Sequence, residues 1–359
     1  MTSSVTSRAC VFCGCVPKHR TKEHVLPRWL LELTGDPNRT GSFGLRKTPG
    51  SVEVRQLSFS AFTMPACGKC NSSFSNLEAA AQNVVRRLLA GSSVTAHDIH
   101  TLLEWLDKVR VGLWLGFRAL DNNLYGIVPR FAVGGRMGLH DRMVGIYRTA
   151  SPDTGLNFGA TDTPGFAFTP SCFVLRVNSV LLFNISFQFL FSKRLGLPYP
   201  HTASLLPGKH TKFEMVPGTE RQSRALLRPS LPSGAVEFYQ PSFRVVANNH
   251  ELGALYSSPY ALQFLWPGTA DRGKVLRRYG CVVRPVWEEV LDDPPPATDD
   301  LPSLLRVLTV AAMKWQLTLG ESQLSLRLIT PSHRAVVRGT IAAVRRTQRA
   351  LIRLAGGAA

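Results

Sequence analysis

The sequence predicts a mixed α+β protein in which a small N-terminal unit is followed by a larger α+β domain and by C-terminal helices. The chain has 359 residues, which is enough for two domains, and 44% of them are apolar, as in ordinary globular proteins. Two Cys-x-x-Cys pairs lie near the N-terminus. Residues 127–279 consist of short apolar runs broken by Gly, Pro, Asn and Ser, which favours strands and loops there.

Residues 1–91 are predicted to form the small N-terminal unit. A strand-like segment over 23–27 precedes a polar excursion over 35–51. A second strand-like run over 52–64 returns the chain to the second cysteine pair, and a helix that follows this pair is predicted to end at Gly91. The first eight residues are polar and lack the apolar core of a secretory signal.

The α+β domain is predicted over 92–290. Thr95 is expected to cap its first helix, in which apolar residues over 99–113 recur at helical spacing. We expect this helix to separate the N-terminal unit from the rest of the chain. The apolar stretch 172–192 contains too many polar residues for a membrane span, so it predicts two buried strands separated near Asn178.

The C-terminal part begins after an acidic, proline-rich segment over 291–303, which predicts an exposed linker. Within 304–359, residues 304–319 and 331–354 predict two helices, and the second has arginines close to one face. That helix either packs on the protein with a basic outer face or follows nucleic-acid phosphates, and a membrane-surface helix is the weakest alternative. The arginines assigned to that face are Arg334, Arg338, Arg345, Arg349 and Arg353.

The charge of the chain favours a polyanionic partner. Lys and Arg total 42 against 24 for Asp and Glu, which gives a net charge of +18, and the isoelectric point is about 10.2. Such an excess is typical of nucleic-acid-binding proteins, although genomes with high Arg usage also encode basic proteins. The chain has seven cysteines, which is an odd number, and it is long enough to fold without disulfides. The cysteines therefore predict a reducing compartment, the cytoplasm.

The two cysteine pairs predict a structural zinc site. Cys10 and Cys13 form one pair, and Cys67 and Cys70 form the other. Zn²⁺ in structural sites takes four thiolate or imidazole ligands in a tetrahedron, and two Cys-x-x-Cys turns can supply them and stabilise a small fold. Cys15 could replace Cys13, but the matching spacing of the two pairs favours Cys13.

Candidate catalytic residues adjoin these cysteines. Glu23 and His24 lie between the two pairs, and Asn71 directly follows the second. Cleavage of a phosphodiester needs an activated water and charge compensation at the phosphate. An imidazole can accept the proton of water, and carboxylate and amide oxygens can hold a divalent cation. The simpler alternatives are a structural histidine, a surface ion pair for Glu23 and a helix cap at Asn71.

The segments TKEHVLPRWLL and CGKCNSSFSNLE, together with the first cysteine pair, resemble the zinc-knuckle branch of the HNH (ββα-metal) endonucleases. The resemblance covers about the first 90 residues, roughly a quarter of the chain. It implies a ββα-metal unit that hydrolyses DNA, with His24 as general base. It also implies that Glu23 and Asn71 are ligands of a catalytic Mg²⁺ or Mn²⁺.

Two departures from the family pattern matter. The family more often has Asp where this chain has Glu23, and the middle Asn of the motif is not evident over 62–66. Asn76 and Glu78 are candidate substitutes or additional ligands. The missing Asn leaves open an alternative function, a noncatalytic zinc-dependent nucleic-acid-binding protein with a degenerate HNH site.

The partner expected from the sequence is DNA, and RNA stays an open alternative. Four basic residues around the proposed base either hold flanking phosphates or form a solvated loop. They are Lys18, Arg20, Lys22 and Arg28. No membrane partner is expected, and a homo-oligomer is compatible with the sequence.

Overall fold

The structure is a computed structural model with a mixed α+β fold, as the sequence predicts. It describes residues 9–18, 20–48, 50–121, 133, 136–150, 152–206, 210–218, 230–244, 259–266, 269, 271–286, 297–325 and 331–356. The predicted polar N-terminus, residues 1–8, and the first six residues of the predicted linker, 291–296, lie outside these residues.

The N-terminal part and the long helix after it contain four strands and four helices within the described residues. They are β1 (Arg20–His24), α1 (Arg28–Leu33), β2 (Thr40–Thr48), β3 (Ser51–Ser58), β4 (Thr63–Cys67), α2 (Gly68–Ser73), α3 (Ser75–Ala90) and α4 (Ala96–Leu120). A 3₁₀ turn, Phe59–Ala61, separates β3 from β4.

The described remainder of the chain contains a large sheet and the C-terminal helices. Its strands are β5 (Asp141–Thr149), β6 (Leu156–Gly159), β7 (Cys172–Val177), β8 (Val180–Phe187), β9 (Tyr199–Leu206), β10 (His210–Val216), β11 (Val236–Gln240), β12 (Leu276–Tyr279), β13 (Val282–Pro285) and β14 (Ala297–Thr298). Its helices are α5 (Pro164–Phe168), α6 (Pro259–Leu262), α7 (Leu301–Ser325) and α8 (Pro331–Leu354).

The first and last strands of the N-terminal part form an antiparallel pair, β1 with β4, in which Arg20 lies opposite Cys67 and His24 opposite Thr63. Between them, β2 and β3 form a separate hairpin that turns at Gly50, where φ is +84°. The sequence predicted a polar excursion where β2 lies. The strand escaped prediction because Phe43 and Leu45 are its only two large apolar residues and the pairing register shifts between Ser42 and Leu45, so the apolar alternation is too short to reveal a strand.

The helices of the N-terminal part end and begin largely as predicted. The predicted helix after the second cysteine pair is broken at Phe74 into α2 and α3, and α3 ends at Gly91 with φ at +68°. Thr95 caps α4: its side-chain oxygen accepts from the Asp98 N–H at 3.2 Å, and the Asp98 carboxylate accepts from the Thr95 N–H at 2.7 Å. This is a complete capping box.

The large sheet has the strand order β13-β12-β11-β5-β8-β7-β6, and neighbouring strands on this path are antiparallel. The predicted pair of buried strands over 172–192 is confirmed as β7 and β8, which turn at Asn178 with φ at +52°. At the far end of β5, Ala297 of β14 lies opposite Arg148 in a parallel pairing. The prediction of an exposed linker over 291–303 is therefore wrong for part of the segment, because residues 297–298 pair with the sheet and the buried Leu301 begins α7.

The two faces of the sheet border two different hydrophobic cores, and alternate residues of β5 point into one core or the other. Val144 and Ile146 pack in the core that contains α4 and the N-terminal part, whereas Met143 and Tyr147 pack in the core that contains Trp315 of α7. Helix α4 contacts α3 and β4 on one side and β5 and β8 on the other. It therefore lies between the N-terminal part and the sheet, where the sequence placed it.

The C-terminal helices cover the opposite face of the sheet. Helix α7 packs on β7, and α8 packs on α7 and α5. A buried amide network joins them: Gln348 donates to the Gln316 side-chain oxygen at 2.7 Å, and the Thr163 hydroxyl donates to the same oxygen at 2.7 Å. No helix in the described ranges is both long enough and apolar enough to span a membrane.

A buried ion cluster attaches α4 to the sheet. Asp107 is 1% exposed and accepts from Arg110 at 2.8 Å, and it lies 3.4 Å from Arg142 of β5. Arg110 and Arg142 hold the pKa of Asp107 below its ordinary value although burial opposes them. The carboxylate is therefore ionised at neutral pH and interacts with two buried guanidinium groups, of which Arg142 also lies 3.3 Å from Glu104.

Replacing Asp107 with Ala is expected to destabilise the protein by about 3–5 kcal/mol, because two buried arginines each lose a carboxylate partner. Equilibrium urea unfolding measures this change. Asp299→Ala, at an exposed position, is the matched control and should leave the free energy of unfolding almost unchanged. Equal midpoints for the two variants would contradict the structural role of the cluster.

Candidate functional site

Four cysteines converge at one end of the β1–β4 pair. The Sγ atoms of Cys10, Cys13, Cys67 and Cys70 all lie within 4.8 Å of one another, and the Cys13 and Cys67 sulfurs are 3.9 Å apart. A zinc ion with four Zn–S bonds of about 2.3 Å requires sulfurs about 3.8 Å apart, so the cluster fits a tetrahedral site. The predicted ligand set is the one the structure brings together, and it can hold a metal ion.

Local backbone structure positions the two cysteine pairs. The first pair lies in a turn closed by the Gly14 N–H, which donates to the Cys10 carbonyl at 2.8 Å, and Gly14 has a φ of +73°. The Val11 N–H donates to the Pro65 carbonyl at 3.0 Å, which fixes this turn beside β4. The second pair begins where β4 ends, because Cys67 is the N-cap of α2.

The N-terminus of α2 favours a thiolate at Cys67. The Cys70 N–H donates to the Cys67 sulfur at 3.4 Å and lowers the pKa of that thiol to about 7. A lowered pKa suits a metal ligand, because zinc binds the deprotonated sulfur. Cys15, the alternative ligand, is exposed and lies outside the four-sulfur group.

Glu23 is held in a buried ion cluster with two residues from other elements. Lys108 of α4 donates to the Glu23 carboxylate at 2.5 Å and also to the carboxylate of Glu78 on α3. Glu23 is 5% exposed and Lys108 is 4% exposed. The two carboxylates therefore converge on one ammonium group, and the cluster keeps a net negative charge when all three groups are ionised. Burial raises the pKa of Glu23, and the charge of Lys108 opposes that shift.

Two glycines allow α4 to approach this cluster. Gly112 and Gly116 follow Lys108 at intervals of four residues, so the three share one face of the helix. A Cβ at Gly116 would lie 2.5 Å from the Phe62 ring and 2.8 Å from the Val25 side chain. Helix α4 therefore packs closely against Val25, the residue after His24, and this packing places the Lys108 ammonium group beside Glu23.

His24 ends β1 next to the same cluster and is half-buried. Burial lowers the pKa of its imidazole below the ordinary value, the charges of Arg28 and Lys108 act in the same direction, and Glu78 opposes them. The imidazole is therefore neutral at pH 7. This is the form that can accept a proton.

Asn71 lies on α2, directly after Cys70 of the four-cysteine cluster. Its side-chain amide donates to the Thr21 hydroxyl at 3.3 Å, and that hydroxyl donates to the Ala66 carbonyl at 3.1 Å. Thr21 and Glu23 share a face of β1, since alternate residues of a strand point the same way. Glu78 is the residue that shares the partner Lys108 with Glu23, and the sequence offered it as a substitute or an additional ligand.

The predicted phosphate-binding residues surround the strand. Lys18 and Lys22 are exposed, and Arg28 forms an exposed ion pair with Glu32 at 2.8 Å. Arg20 begins β1, and its side chain lies outside the described residues. Two exposed lysines near the cluster are thus available to an anionic partner.

Lys108 is the site residue that the sequence did not predict. It lies 85 positions from Glu23 and in a helix that was assigned to the other domain. The signal was nevertheless present, since α4 is apolar on nearly all sides yet carries Glu104, Asp107, Lys108 and Arg110. Charges within a helix that is buried all round need buried partners of opposite charge.

Comparison with known proteins gave no relative: no family model matches the chain, and no significant match was found among curated proteins or solved structures. The assignment of a function therefore depends on the geometry of the site itself.

Proposed function

We propose that the protein is a metal-dependent HNH-type endonuclease that hydrolyses phosphodiester bonds in DNA. The observation that carries the proposal is the arrangement of β1 and β4 as an antiparallel pair that runs directly into α2 and α3. In this arrangement Lys108 pairs with both Glu23 and Glu78, His24 is the next residue of β1, and Cys67 at the end of β4 belongs to the four-cysteine cluster. Conversion of supercoiled plasmid to nicked or linear DNA that requires Mg²⁺ or Mn²⁺ tests the proposal.

His24 is the general base in this proposal. Its neutral imidazole accepts a proton from a water molecule as the water oxygen attacks phosphorus and the 3′ oxygen departs. Its half-buried position leaves the ring reachable from solvent, and the lowered pKa keeps it unprotonated. Lys18 and Lys22 lie six and two residues before His24, and in this proposal they hold the phosphates that flank the cleaved bond.

The catalytic cation expected from the resemblance fits the chemistry of the cluster, because two carboxylates already converge on one positive charge. Glu23 and Glu78 would hold Mg²⁺ or Mn²⁺, and Asn71 is the further ligand implied by the HNH pattern. The bound cation would stabilise the charge that develops on the phosphate and on the departing oxygen. In this account Lys108 is the internal counterion that keeps the carboxylates together before the cation binds.

Replacing Lys108 with Met is expected to increase the response of the protein to divalent cations. Without the ammonium group, two carboxylates face each other in a buried place, which lowers the melting temperature in buffer without added divalent cation. Mn²⁺ should then raise the melting temperature more in this variant than in the wild type, because Mn²⁺ no longer competes with Lys108 for the two carboxylates. Differential scanning fluorimetry across a series of Mn²⁺ concentrations measures both effects.

Lys314→Met is the matched control, since Lys314 lies on α7, across the sheet from the cluster. It should respond to Mn²⁺ as the wild type does. A Lys108→Met protein whose Mn²⁺ response equals that of the control would show that the carboxylates do not hold a cation.

The noncatalytic alternative is favoured by one observation, the ion pairs that Lys108 makes with both carboxylates. If this pairing persists in the presence of Mg²⁺ or Mn²⁺, the chain would bind nucleic acid through its basic residues without cleaving it. Binding that weakens steeply with added salt, in the absence of any cleavage product, identifies this function.

A further inference from the structure

The last helix has a strongly basic side that the proposed active site does not use. Helix α8 has 24 residues and contains no Asp or Glu. The arginine face, as we name this side, consists of Arg334, Arg338, Arg345, Arg346, Arg349 and Arg353. At 100° per residue these six side chains fall within about one third of the helix circumference.

Packing fixes which way the arginine face points. Val337, Ile341, Gln348 and Ile352 are buried and form the neighbouring stripe of the helix, and Gln348 is bonded to Gln316 of α7. The helix therefore cannot rotate to turn the arginines inward. Arg338, Arg346, Arg349 and Arg353 are exposed.

The arginine face is nearly uncompensated by acidic groups. Within the described part of the chain, Arg345 is the member with a carboxylate partner, Glu321 of α7 at 2.6 Å. The exposed positions interleaved with the arginines are small, such as Ala335 and Ala342. Arg338 and Arg353 are 15 residues apart, or about 22 Å along the helix, so the charges form a row rather than a point.

We propose that the arginine face of α8 binds the phosphate backbone of duplex DNA. A row of guanidinium groups about 22 Å long matches a polyanion with one charge per about 1.7 Å of duplex axis. Guanidinium groups also bind phosphate oxygens through two parallel hydrogen bonds. An anionic membrane is a poorer partner, because the apolar stripe that a surface helix must insert is buried here against α7.

The arginine face and the candidate active site lie on opposite sides of the sheet. Lys108 belongs to α4, which packs on one face of the sheet, whereas α8 packs on α7 over the other face. The phosphates that the arginine face holds are therefore not those beside His24. The inference goes beyond the proposed nuclease function and does not depend on cleavage.

Replacing Arg338, Arg346 and Arg349 together with Gln tests the inference. Binding of a fluorescent 30-base-pair DNA duplex is followed by anisotropy across a series of salt concentrations. The buffer contains no added Mg²⁺ or Mn²⁺, which prevents metal-dependent cleavage, and no chelator, so that the four-cysteine cluster keeps its zinc. Removing three phosphate contacts should reduce the slope of log affinity against log salt by about 3 units and weaken binding by about tenfold or more.

The control is a triple variant with the same change in net charge, Lys193→Gln, Arg244→Gln and Arg284→Gln, at exposed positions outside α8. It should keep the wild-type slope. An equal slope for the two triple variants would overturn the inference. The inference would also be overturned if the α8 variant bound DNA normally but, unlike the wild type and the control, no longer co-sedimented with phosphatidylserine vesicles.

A measurement on the wild-type chain covers the case in which the α8 variant fails to fold. Duplex DNA should protect Arg338, Arg349 and Arg353 from modification by phenylglyoxal, as read by mass spectrometry of peptides. Protection confined to arginines outside α8 would overturn the inference. Loss of DNA cleavage in the His24→Ala variant, with protection of α8 unchanged, would separate this surface from the active site.

Discussion

Replacing His24 with Ala is expected to lower metal-dependent DNA cleavage by about 10²- to 10⁴-fold, which is the range for loss of a general base. The imidazole lies half-buried at the end of β1. Burial and the charge of Lys108 lower its pKa, and the charge of Glu78 opposes them. A gel assay that follows plasmid nicking with time measures the rate. Zinc content and melting temperature should not change, because His24 is not part of the four-cysteine cluster.

His97→Ala is the matched control for this experiment. His97 is an exposed histidine near the start of α4, and its ring lies 6.4 Å from that of Trp266, away from the cluster of Glu23 and Lys108. Cleavage by this variant should equal that of the wild type. A His24→Ala protein that nicks plasmid as fast as His97→Ala would refute the assignment of the base.

Replacing Cys67 with Ser is expected to abolish zinc binding and to unfold the N-terminal part of the chain. Binding of structural zinc supplies about 10–16 kcal/mol in small zinc domains, and this free energy stabilises the fold. The loss should be large because Cys67 is both a ligand and the N-cap of α2. Zinc content by mass spectrometry and helix content by circular dichroism measure the two consequences.

Cys15→Ser separates the effect of the cluster from that of losing any thiol. Cys15 is two residues from Cys13 but is exposed and outside the four-sulfur group. The variant should keep zinc and a wild-type melting temperature. If Cys15→Ser lost zinc and Cys67→Ser kept it, the ligand set would be wrong.

The parts of the fold that could be predicted from the sequence are those set by local chemistry. The spacing of the two cysteine pairs identified the four sulfurs that converge in the structure. Helix α8 has the predicted bounds, and β7 and β8 turn at the predicted asparagine. In each case a few neighbouring residues decide the structure, through helical periodicity, a turn signal or ligand spacing.

The parts that escaped prediction depend on distant residues. The pairing of Glu23 with Lys108 joins β1 to a helix 85 residues away, and its geometry requires the glycines of α4 to pack against Val25 and Phe62. No local pattern encodes that contact. For the same reason the sequence placed the N-terminal unit and α4 in different domains, although one apolar core runs through both.

The measurement that tests the central claim most directly is incubation of the zinc-loaded wild-type protein with supercoiled plasmid in Mn²⁺ and in the same buffer without added divalent cation. We expect nicked or linear DNA in Mn²⁺ alone, with ends that DNA ligase can rejoin, since HNH-type hydrolysis leaves a 5′-phosphate and a 3′-hydroxyl. Plasmid that is bound, as shown by retarded migration, but never cut in Mg²⁺ or Mn²⁺ would contradict a nuclease.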